Sequence, residues 1–396
     1  MKKLLLATAM TTAATGAFAQ DGDPVRIGVI LGFTGPIESI TPNMGTAAEL
    51  AISEINEAGG ILDGRMLEAV RADSTCIDAA AAQAAAERLI TSDGVAGIMG
   101  ADCSGVTGAI LANVAVPNGV AMISPSATSP GLSQAEDNGL FFRTAPSDAR
   151  QGEVMANILM EREIEEVAVT YTNNDYGKGF ADAFTAAYED AGGTVTLSAP
   201  HEDGKGDYSA EVGALASAGG DVLVVLGYAD QGGKGMIQSS LDSGAFDTFM
   251  MGDGMFSEAL LADLGSDMEG SFGTVPWAEG EGTEAFNTAA EEAGFDPSTS
   301  YTRESYDAAA LLALAMEAAG STSASDYGPM ITEIANEPGE QILPGQLGRA
   351  IEILADGGEI DYVGATNVEL IGPGEAAGTY REYNIEDSAF TTVEIR

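Results

Sequence analysis

Short apolar runs alternate with alanine-rich segments along the first 130 residues of the chain. The run at residues 25–31 precedes a segment, 45–58, whose apolar residues recur at helical spacing and which ends at Gly59-Gly60, a common helix stop. The pattern then predicts a strand at 66–71, a helix at 78–89, a strand at 95–99, a further alanine-rich helix and a strand at 120–123. This alternation predicts a doubly wound parallel α/β sheet.

A second α/β series follows residues 140–146, a segment that breaks the rhythm and predicts a crossing between two lobes. The predicted helices of this series are 151–161, 178–190, 208–218 and 235–243, and its predicted strands are 166–171, 194–199, 221–226 and 248–251. We therefore predict a second doubly wound α/β lobe.

The rest of the chain predicts two more crossings. One fits residues 273–277, long helices between residues 284 and 335 return to the first lobe, and a strand-like tail from Ile360 crosses again. Two lobes joined by a three-strand hinge form a cleft that can open and close. The predicted N-terminal lobe is 24–144 plus 276–360, and the predicted C-terminal lobe is 145–275 plus 361–396.

Two loops of small and hydroxyl residues follow neighbouring predicted strands of the first lobe. Ser104 comes after the strand at 95–99, whereas Ser126 and Thr128 come after the strand at 120–123. Because the carboxyl ends of adjacent parallel strands meet at one edge, both loops face the same ligand position. Free N–H groups at a helix start and uncharged hydroxyls suit a small carboxylate. The alternative is that Ser104 only caps a helix and that Ser126 and Thr128 are turn residues.

The amino terminus predicts export from the cytoplasm. Two lysines, an apolar stretch and Ala17-Phe18-Ala19 are typical of a signal peptide spanning residues 1–19. The apolar part is too short for a membrane anchor, the alternative interpretation. We therefore predict a periplasmic protein.

The chain contains two cysteines, Cys76 and Cys103. In an exported protein an even number favours pairing, and each cysteine follows a predicted strand, so neighbouring strand ends can bring the two within reach. A disulfide would tie residues 74–78 to the loop that carries Ser104. The alternative is two free thiols.

The charge balance excludes some partners. The chain has 61 acidic and 16 basic residues, a net charge of −45, and two of the lysines belong to the predicted signal peptide. Such a surface repels phosphate backbones and anionic membranes, which argues against nucleic acid as a partner. Strong acidity is also a solubility device of proteins from salty surroundings, so it says little about the ligand.

The sequence offers little for an enzyme. Its single histidine, His201, would have to take part in any Ser-His-Asp triad, and a zinc site with two histidines is excluded. No complete glycine-rich phosphate fingerprint is present. We therefore predict no catalytic residue, no metal and no cofactor.

Ordered motifs over essentially the whole mature chain point to one family. They are IGVILGFTGP, EINEAGGI, DSTCID, GADCSGVTGA, ISPSATSPGL, LFFRTAPSDARQG, NNDYGKG, GDYSAEV, LGYADQGGKG and FMMGDG. Together they resemble the periplasmic solute-binding proteins of ABC importers, in the Leu/Ile/Val-binding group. The resemblance implies a type I periplasmic binding fold, a small amino acid held in the cleft, and delivery of that ligand by a monomer to a membrane permease.

The resemblance also assigns roles to single residues. The serine after the second cysteine and the two hydroxyl residues of the next loop match the family's carboxylate and ammonium contacts. Two tyrosines match aromatic residues that close from the second lobe, and an aspartate stands where the family has a glutamate paired with the α-ammonium. A buried ammonium needs such a partner because an unpaired buried charge is costly. The predicted ligand-binding residues are Ser104, Ser126, Thr128, Tyr176, Tyr228 and Asp253.

Two departures from the family pattern leave the ligand open. Asp253 is one methylene shorter than glutamate, and Ile40 stands where the family often has an aromatic side chain. Phe33 and Trp277 are candidates to fill that space, although both also fit core or hinge packing. Asp253 itself can be read as a turn residue, and the two tyrosines as lobe core. The alternative functions are binding of a non-amino-acid carboxylate, an aromatic acid or an amide, and ligand sensing on the same fold.

Overall fold

Two seven-stranded sheets with helices on their faces make up the protein. The computed structural model describes residues 22–396, and the predicted signal peptide lies outside these residues. The strands are β1 (Val25–Leu31), β2 (Leu67–Asp73), β3 (Gly97–Gly100), β4 (Met122–Ser124), β5 (Phe141–Arg143), β6 (Glu166–Thr172), β7 (Thr194–His201), β8 (Val222–Leu226), β9 (Phe249–Met251), β10 (Phe272–Pro276), β11 (Glu340–Ile342), β12 (Ile360–Tyr362), β13 (Leu370–Ile371), β14 (Glu375–Ala376), β15 (Tyr380–Glu386) and β16 (Ala389–Ile395).

The helices fill the connections between these strands, as right-handed crossovers require. A wider turn at Leu111–Ala115 joins the third and fourth into one continuous helix. The helices are α1 (Thr41–Glu57), α2 (Ala79–Thr91), α3 (Ser104–Ile110), α4 (Val116–Asn118), α5 (Asp148–Glu161), α6 (Asp175–Asp190), α7 (Ser209–Ala218), α8 (Gly232–Ser243), α9 (Glu258–Leu264), α10 (Glu281–Ala293), α11 (Thr302–Ala319), α12 (Ala324–Ile334) and α13 (Leu347–Ala355).

The strand order of each sheet is that of a doubly wound lobe. The first sheet runs β13-β14-β5-β4-β3-β1-β2 and the second runs β16-β15-β10-β9-β8-β6-β7. The strands from β1 to β5 and from β6 to β10 pair in parallel. At the edge of the first sheet β14 is parallel to β5 and β13 is antiparallel to β14, whereas β15 and β16 are both added antiparallel to the second sheet. The predicted fold class, two doubly wound lobes with a three-strand hinge, is confirmed.

Continuous apolar runs form the central strands because helices cover both faces of each sheet. All five residues of β8 and nearly all of β1 are buried. Helix α11 is buried over most of its circumference, since α1, α12 and α13 pack around it. The loops that form the cleft follow the carboxyl ends of the parallel strands in both lobes, which the helices do not cover.

The chain passes between the sheets three times. The first passage follows β5. The predicted crossing was residues 140–146, but residues 141–143 belong to the first sheet, so only the end of that segment lies between the lobes. The second follows β10. At the third, Trp277 N donates to Thr379 O at 2.9 Å, so two crossing segments lie side by side.

The third passage differs from the sequence-based boundary at residue 360. β12 pairs with β11, and β13 and β14 extend the first sheet, so the chain leaves the first lobe only after Ala376. Asp307 of α11 gives the physical reason. Its buried carboxylate accepts hydrogen bonds from Tyr362 Oη, Ala365 N and Thr366 N at 2.8, 2.8 and 2.9 Å, which holds this part of the tail on the first lobe.

Candidate functional site

A narrow cavity lies between the lobes. Five of the six predicted ligand-binding residues line it, and Thr128 does not. A larger groove beside α12 lies on the outside of the first lobe and contains none of these residues. The five lining residues are Ser104, Ser126, Tyr176, Tyr228 and Asp253.

The first-lobe wall is formed by the start of α3 and the loop after β4. Ser104, only 2% exposed, is the first residue of α3, and its Oγ accepts the Ser129 N–H at 3.1 Å. Ser126 Oγ donates to the Asp102 carbonyl at 3.0 Å. Both serines therefore join the two loops to each other as well as facing the cavity. The N–H groups of the first turn of α3 are free to meet an anion there.

A disulfide between Cys76 and Cys103 secures the start of α3. The two Cα atoms are 5.1 Å apart, and the bridge spans 27 residues. This confirms the predicted pairing and its purpose, since Cys103 is the residue directly before Ser104 and itself lines the cavity. The loop after β2 is thereby fastened to the loop after β3.

Asp102 lies beneath this wall and connects three strand ends. Its carboxylate accepts the Gly32 N–H at 2.6 Å and the Ser74 hydroxyl at 2.9 Å. Burial raises the pKa of Asp102, and these two hydrogen bonds act in the opposite direction. With its oxygens already used, Asp102 is suited to holding the loops rather than to binding a ligand cation.

The second-lobe wall is aromatic and acidic. Asn174 Oδ1 caps α6 by accepting the Gly177 N–H at 3.0 Å, which places Tyr176 in the first turn. The Tyr176 and Tyr228 rings stack with centroids 5.1 Å apart. Tyr176 Oη donates to Asp253 Oδ1 at 2.9 Å.

A glycine lets the Asp253 loop approach these rings. Asp253 follows β9, and a Cβ on Gly254 would lie 2.6 Å from Gly227 O and 3.0 Å from Tyr176 Oη. Close packing therefore explains why a glycine stands at position 254. It lets the Asp253 loop lie against the loop after β8 while the carboxylate reaches the cavity.

Tyr301 is a cavity residue that the sequence did not reveal. It immediately precedes α11, has a left-handed backbone with φ of +64°, and donates its hydroxyl to Asp253 Oδ2. Tyr176 and Tyr301 therefore hold both oxygens of Asp253. In the sequence, Tyr301 reads as part of the apolar pattern of the following helix, and no neighbouring motif identifies it as a site residue.

Thr128 faces a second buried acid, Asp148, instead of the cavity. Asp148 N donates to Thr128 O at 2.9 Å. Thr128 Oγ1 and both carboxylate oxygens of Asp148 are fully buried and lack a hydrogen-bond partner. Asp148 follows Ser147, the cap of α5, so the sequence suggests only an ordinary first-turn acid.

Burial raises the pKa of both acids, and the Asp253 carboxylate raises that of Asp148 further. Burial and the Asp253 carboxylate raise the pKa of Asp148 well above its ordinary value, against the Thr128 hydroxyl and the Arg143 guanidinium. Burial also raises the pKa of Asp253, although Tyr301 and Tyr176 lower it by hydrogen bonding. This end of the cleft is therefore primed to accept a positively charged group.

Aliphatic side chains complete the cavity. Ile37 and Ile40 line it from the loop before α1. Ile40, which stands where the family often has an aromatic side chain, is therefore part of the cavity wall. Phe33 and Trp277 do not line it. The Phe33 ring lies under the Arg71 guanidinium at 5.2 Å, and Trp277 lies near Arg303 and Arg381 beside the crossings.

Residues 22–396 contain neither a grouped metal site nor a membrane-spanning helix. Within this range no cluster of three or more histidine, cysteine, aspartate or glutamate side chains is arranged to hold a metal ion. In the same range no helix combines the length and the apolar character needed to cross a membrane.

Known proteins with similar sequences and folds are binding proteins. The family described as periplasmic binding protein matches residues 24–327. The leucine-, isoleucine-, valine-, threonine- and alanine-binding protein of Pseudomonas aeruginosa is 30% identical over 318 residues, which cover 80% of this chain and 84% of that protein. These relatives are substrate-binding components and not enzymes, in agreement with the prediction.

Solved structures match over nearly the whole chain. The branched-chain amino acid transporter substrate-binding protein LivJ from Streptococcus pneumoniae, in complex with isoleucine, has a TM-score of 0.78 at 23% identity, covering 94% of this chain and 99% of that one. A solute-binding protein of an ABC transporter from Rhodopseudomonas palustris HaA2, in complex with p-hydroxybenzoic acid, has a TM-score of 0.75 at 18% identity, covering 94% and 97%. Fold, cleft and sequence agree, and the chain belongs to the periplasmic binding protein family.

Proposed function

We propose that the cleft binds a small α-amino acid with an aliphatic side chain. The single observation that carries this proposal is that Ser104 of the first lobe and Asp253 of the second line the same cavity. A zwitterion has one charge for each of these walls. Closure of the lobes would exclude water and strengthen both interactions.

The ligand carboxylate is assigned to the first-lobe wall. The first turn of α3 supplies backbone N–H groups and the positive end of a helix dipole, and Ser104 and Ser126 add hydroxyls. No lysine or arginine lines the cavity. This wall therefore suits one small carboxylate and gives no cation for the second carboxylate of an acidic amino acid.

The α-ammonium is assigned to the second-lobe acids. Asp253 is 3% exposed and is held by two phenol groups, so it can keep its charge while facing the ligand. Asp148 and the Thr128 hydroxyl, both buried and without partners, lie behind it and would complete the ammonium site. Because Thr128 does not line the cavity, its predicted role as an ammonium contact is part of this proposal.

The side chain is assigned to Ile37 and Ile40. Both are buried aliphatic residues on the cavity wall, and they favour a ligand of the leucine, isoleucine, valine or alanine type. The P. aeruginosa relative named for these amino acids supports the same ligand class. The protein would act in the periplasm after removal of residues 1–19, as a monomer that delivers its ligand to an ABC permease.

A second candidate is an aromatic acid, and three tyrosines favour it. Tyr176, Tyr228 and Tyr301 line the cavity, and aromatic rings stack well on such surfaces. The R. palustris protein of similar fold was solved with p-hydroxybenzoic acid. This ligand has no ammonium, so it would leave Asp253 and Asp148 without a cation.

Isothermal calorimetry with leucine, isoleucine, valine, alanine and p-hydroxybenzoate separates the two candidates. Under the amino-acid proposal, Asp253→Asn weakens binding by about 2–5 kcal/mol, because the buried ammonium loses its charged partner. The matched control is Asp247→Asn, an exposed aspartate at the opposite end of β9, which should bind like the wild type. Wild-type binding of p-hydroxybenzoate alone, or unchanged amino-acid affinity in Asp253→Asn, would refute the ammonium assignment.

A further inference from the structure

Arg143 is buried directly behind the ligand-binding wall of the first lobe. It ends β5, is 1% exposed, and does not line the cavity. Both terminal nitrogens of its guanidinium are fully used: one donates to two backbone carbonyls and the other donates to a serine and a glutamate. A cation this deep in the protein needs partners of this kind.

The carbonyls belong to the ligand loop, which we define as residues 125–134. Arg143 Nη1 donates to Ala127 O at 2.9 Å and to Ser129 O at 3.0 Å. The carbonyl between them, Thr128 O, accepts the Asp148 N–H at 2.9 Å. Three successive carbonyls of the loop are therefore bound by the first crossing and by the strand that leads into it.

The other side of the guanidinium reaches the strand that precedes the third crossing. Arg143 Nη2 donates to Ser133 Oγ at 2.8 Å and to Glu375 Oε2 at 2.5 Å, and Ser133 Oγ donates to the same carboxylate at 2.6 Å. Glu375 lies on β14, the last first-lobe strand before the chain crosses. One side chain thus joins the ligand loop to two first-lobe strands, β5 and β14, each of which leads into a crossing.

This arrangement fixes a conformation more than it stabilises the fold. A buried ion pair gains little net stability over apolar residues of similar volume, because desolvation offsets the attraction. The planar guanidinium, in contrast, sets the directions of four acceptors at once, which a lysine cannot do. The N–H of Ser129, whose carbonyl the guanidinium holds, remains on Ser104 Oγ.

We propose that Arg143 is a positioning residue for ligand binding, which holds the ligand loop in its binding conformation and ties that loop to the two first-lobe strands that lead into crossings, without touching the ligand. The effect on binding rests on the function proposed above, whereas the effect on the loop does not. The two parts can therefore fail separately.

The first test is hydrogen exchange of the unliganded protein, measured by mass spectrometry. In Arg143→Lys, peptides covering residues 125–134 should exchange at least tenfold faster than in the wild type, while peptides from β6 and β8 are unchanged. The double variant Ser133→Ala/Glu375→Gln removes the other half of the network and should have a smaller effect in the same peptides. It also keeps the proposal testable if Arg143→Lys does not fold. Equal exchange in the loop for the folded variants would overturn the proposal.

The second test measures dissociation with leucine and p-hydroxybenzoate as probes, using whichever the wild type retains. Arg143→Lys should release it about tenfold faster, and the double variant about threefold faster, with smaller changes in association. The matched control is Arg162→Lys, because Arg162 also pairs with a buried glutamate, Glu382, but lies away from the cleft. It should lower the melting temperature and leave dissociation unchanged.

The outcomes separate the two proposals. Retention of p-hydroxybenzoate alone refutes the amino-acid ligand, yet the Arg143 comparison proceeds with that probe because both probes carry the carboxylate. If Arg143→Lys releases the probe at the wild-type rate while melting as early as Arg162→Lys, Arg143 is only a structural residue. If the wild type retains neither probe, the proposed ligands fail and loop exchange decides the positioning role.

Discussion

Three aspartates are buried near the cleft, and their hydrogen bonds separate their roles. Asp102 is bound by Gly32 and Ser74 and serves the architecture of the loops. Asp253 is bound by two tyrosines whose hydroxyls can rotate, so it remains available to an ammonium. Asp148 has no partner for either oxygen. The acid that lines the cavity, Asp253, is therefore held by rotatable hydroxyls, and the acid without partners, Asp148, lies behind it.

Ser104→Ala should weaken binding of any carboxylate ligand by about 1.5–3 kcal/mol, the usual range for a hydrogen bond to a charged group. The substitution also leaves the Ser129 N–H without its acceptor. Calorimetry gives the affinity, and circular dichroism should still report a folded protein. Ser209→Ala is the control, since Ser209 is also the first residue of a helix but is exposed on α7. Wild-type affinity in Ser104→Ala would remove Ser104 from the site.

Glu304 makes stability depend on pH. Burial raises the pKa of Glu304 from 4.5 to about 7, with hydrogen bonding from the backbone and Arg303 acting against it. Between these values the folded state binds more protons than the unfolded state, so stability falls as pH rises through this window and levels off above it. The loss is on the order of 3 kcal/mol.

Glu304→Gln cannot ionise and should abolish this contribution. We expect urea denaturation to give a variant that is more stable than the wild type at pH 8, with the difference shrinking towards pH 5. If the difference in unfolding free energy between the wild type and Glu304→Gln is the same at pH 5 and pH 8, the pKa of Glu304 is not raised.

Among the elements, the unit formed by β3, α3 and β4 carries most of the first-lobe wall. The short strands place two loops at one edge, and the disulfide and Ser124 hold those loops together: Ser124 Oγ donates to Ala101 O at 2.5 Å and accepts the Ala127 N–H at 2.9 Å. The wall is therefore largely preformed before any ligand arrives, which reduces the ordering cost of binding.

Removal of the disulfide should destabilise this unit. Closing a loop of the 27-residue separation between Cys76 and Cys103 restricts the unfolded chain, and the chain-entropy relation gives about 3.5 kcal/mol for such a loop. Cys76→Ser/Cys103→Ser should lower the free energy of unfolding by that amount in urea titrations. Treatment of the wild type with a reducing agent should have the same effect, and equal midpoints for reduced and oxidised protein would rule it out.

At the scale of the whole molecule, the hinge contains a natural reporter. Trp277 is the single tryptophan of the chain and lies in the second crossing. The Arg303 guanidinium, from the first-lobe helix α11, is 4.3 Å from the centre of its ring, and the Arg381 guanidinium, from the second-lobe strand β15, is 4.9 Å away. Relative rotation of the lobes must change at least one of these contacts.

Ligand binding should therefore change tryptophan emission. A titration with the ligand identified by calorimetry should give a saturable change in emission with the calorimetric dissociation constant. Trp277→Phe should bind the ligand and lose the signal. Constant emission at saturating ligand would mean that the lobes do not move about this crossing.

The sequence by itself determined the two-lobed α/β plan, the disulfide and five of the residues that line the cleft cavity. These depend on local information: apolar runs fix strands, alanine-rich periodic segments fix helices, and residues just after parallel strands must gather at one edge. Ser104 could be named for this reason, whereas Asp253 and the two tyrosines were named from the resemblance to the Leu/Ile/Val-binding group. The strands are short, but each is bounded by glycine, proline or hydroxyl residues that mark its end.

Only the tertiary structure decided which side chains meet across long separations. Tyr301 reaches Asp253, 48 residues away, and Asp148 lies beside Thr128 and Asp253, although nothing in the surrounding sequence distinguishes either residue. The third crossing falls after Ala376 because Asp307 holds the preceding tail. Each of these features depends on how packed helices and closed lobes orient side chains, and local periodicity carries no information about that orientation.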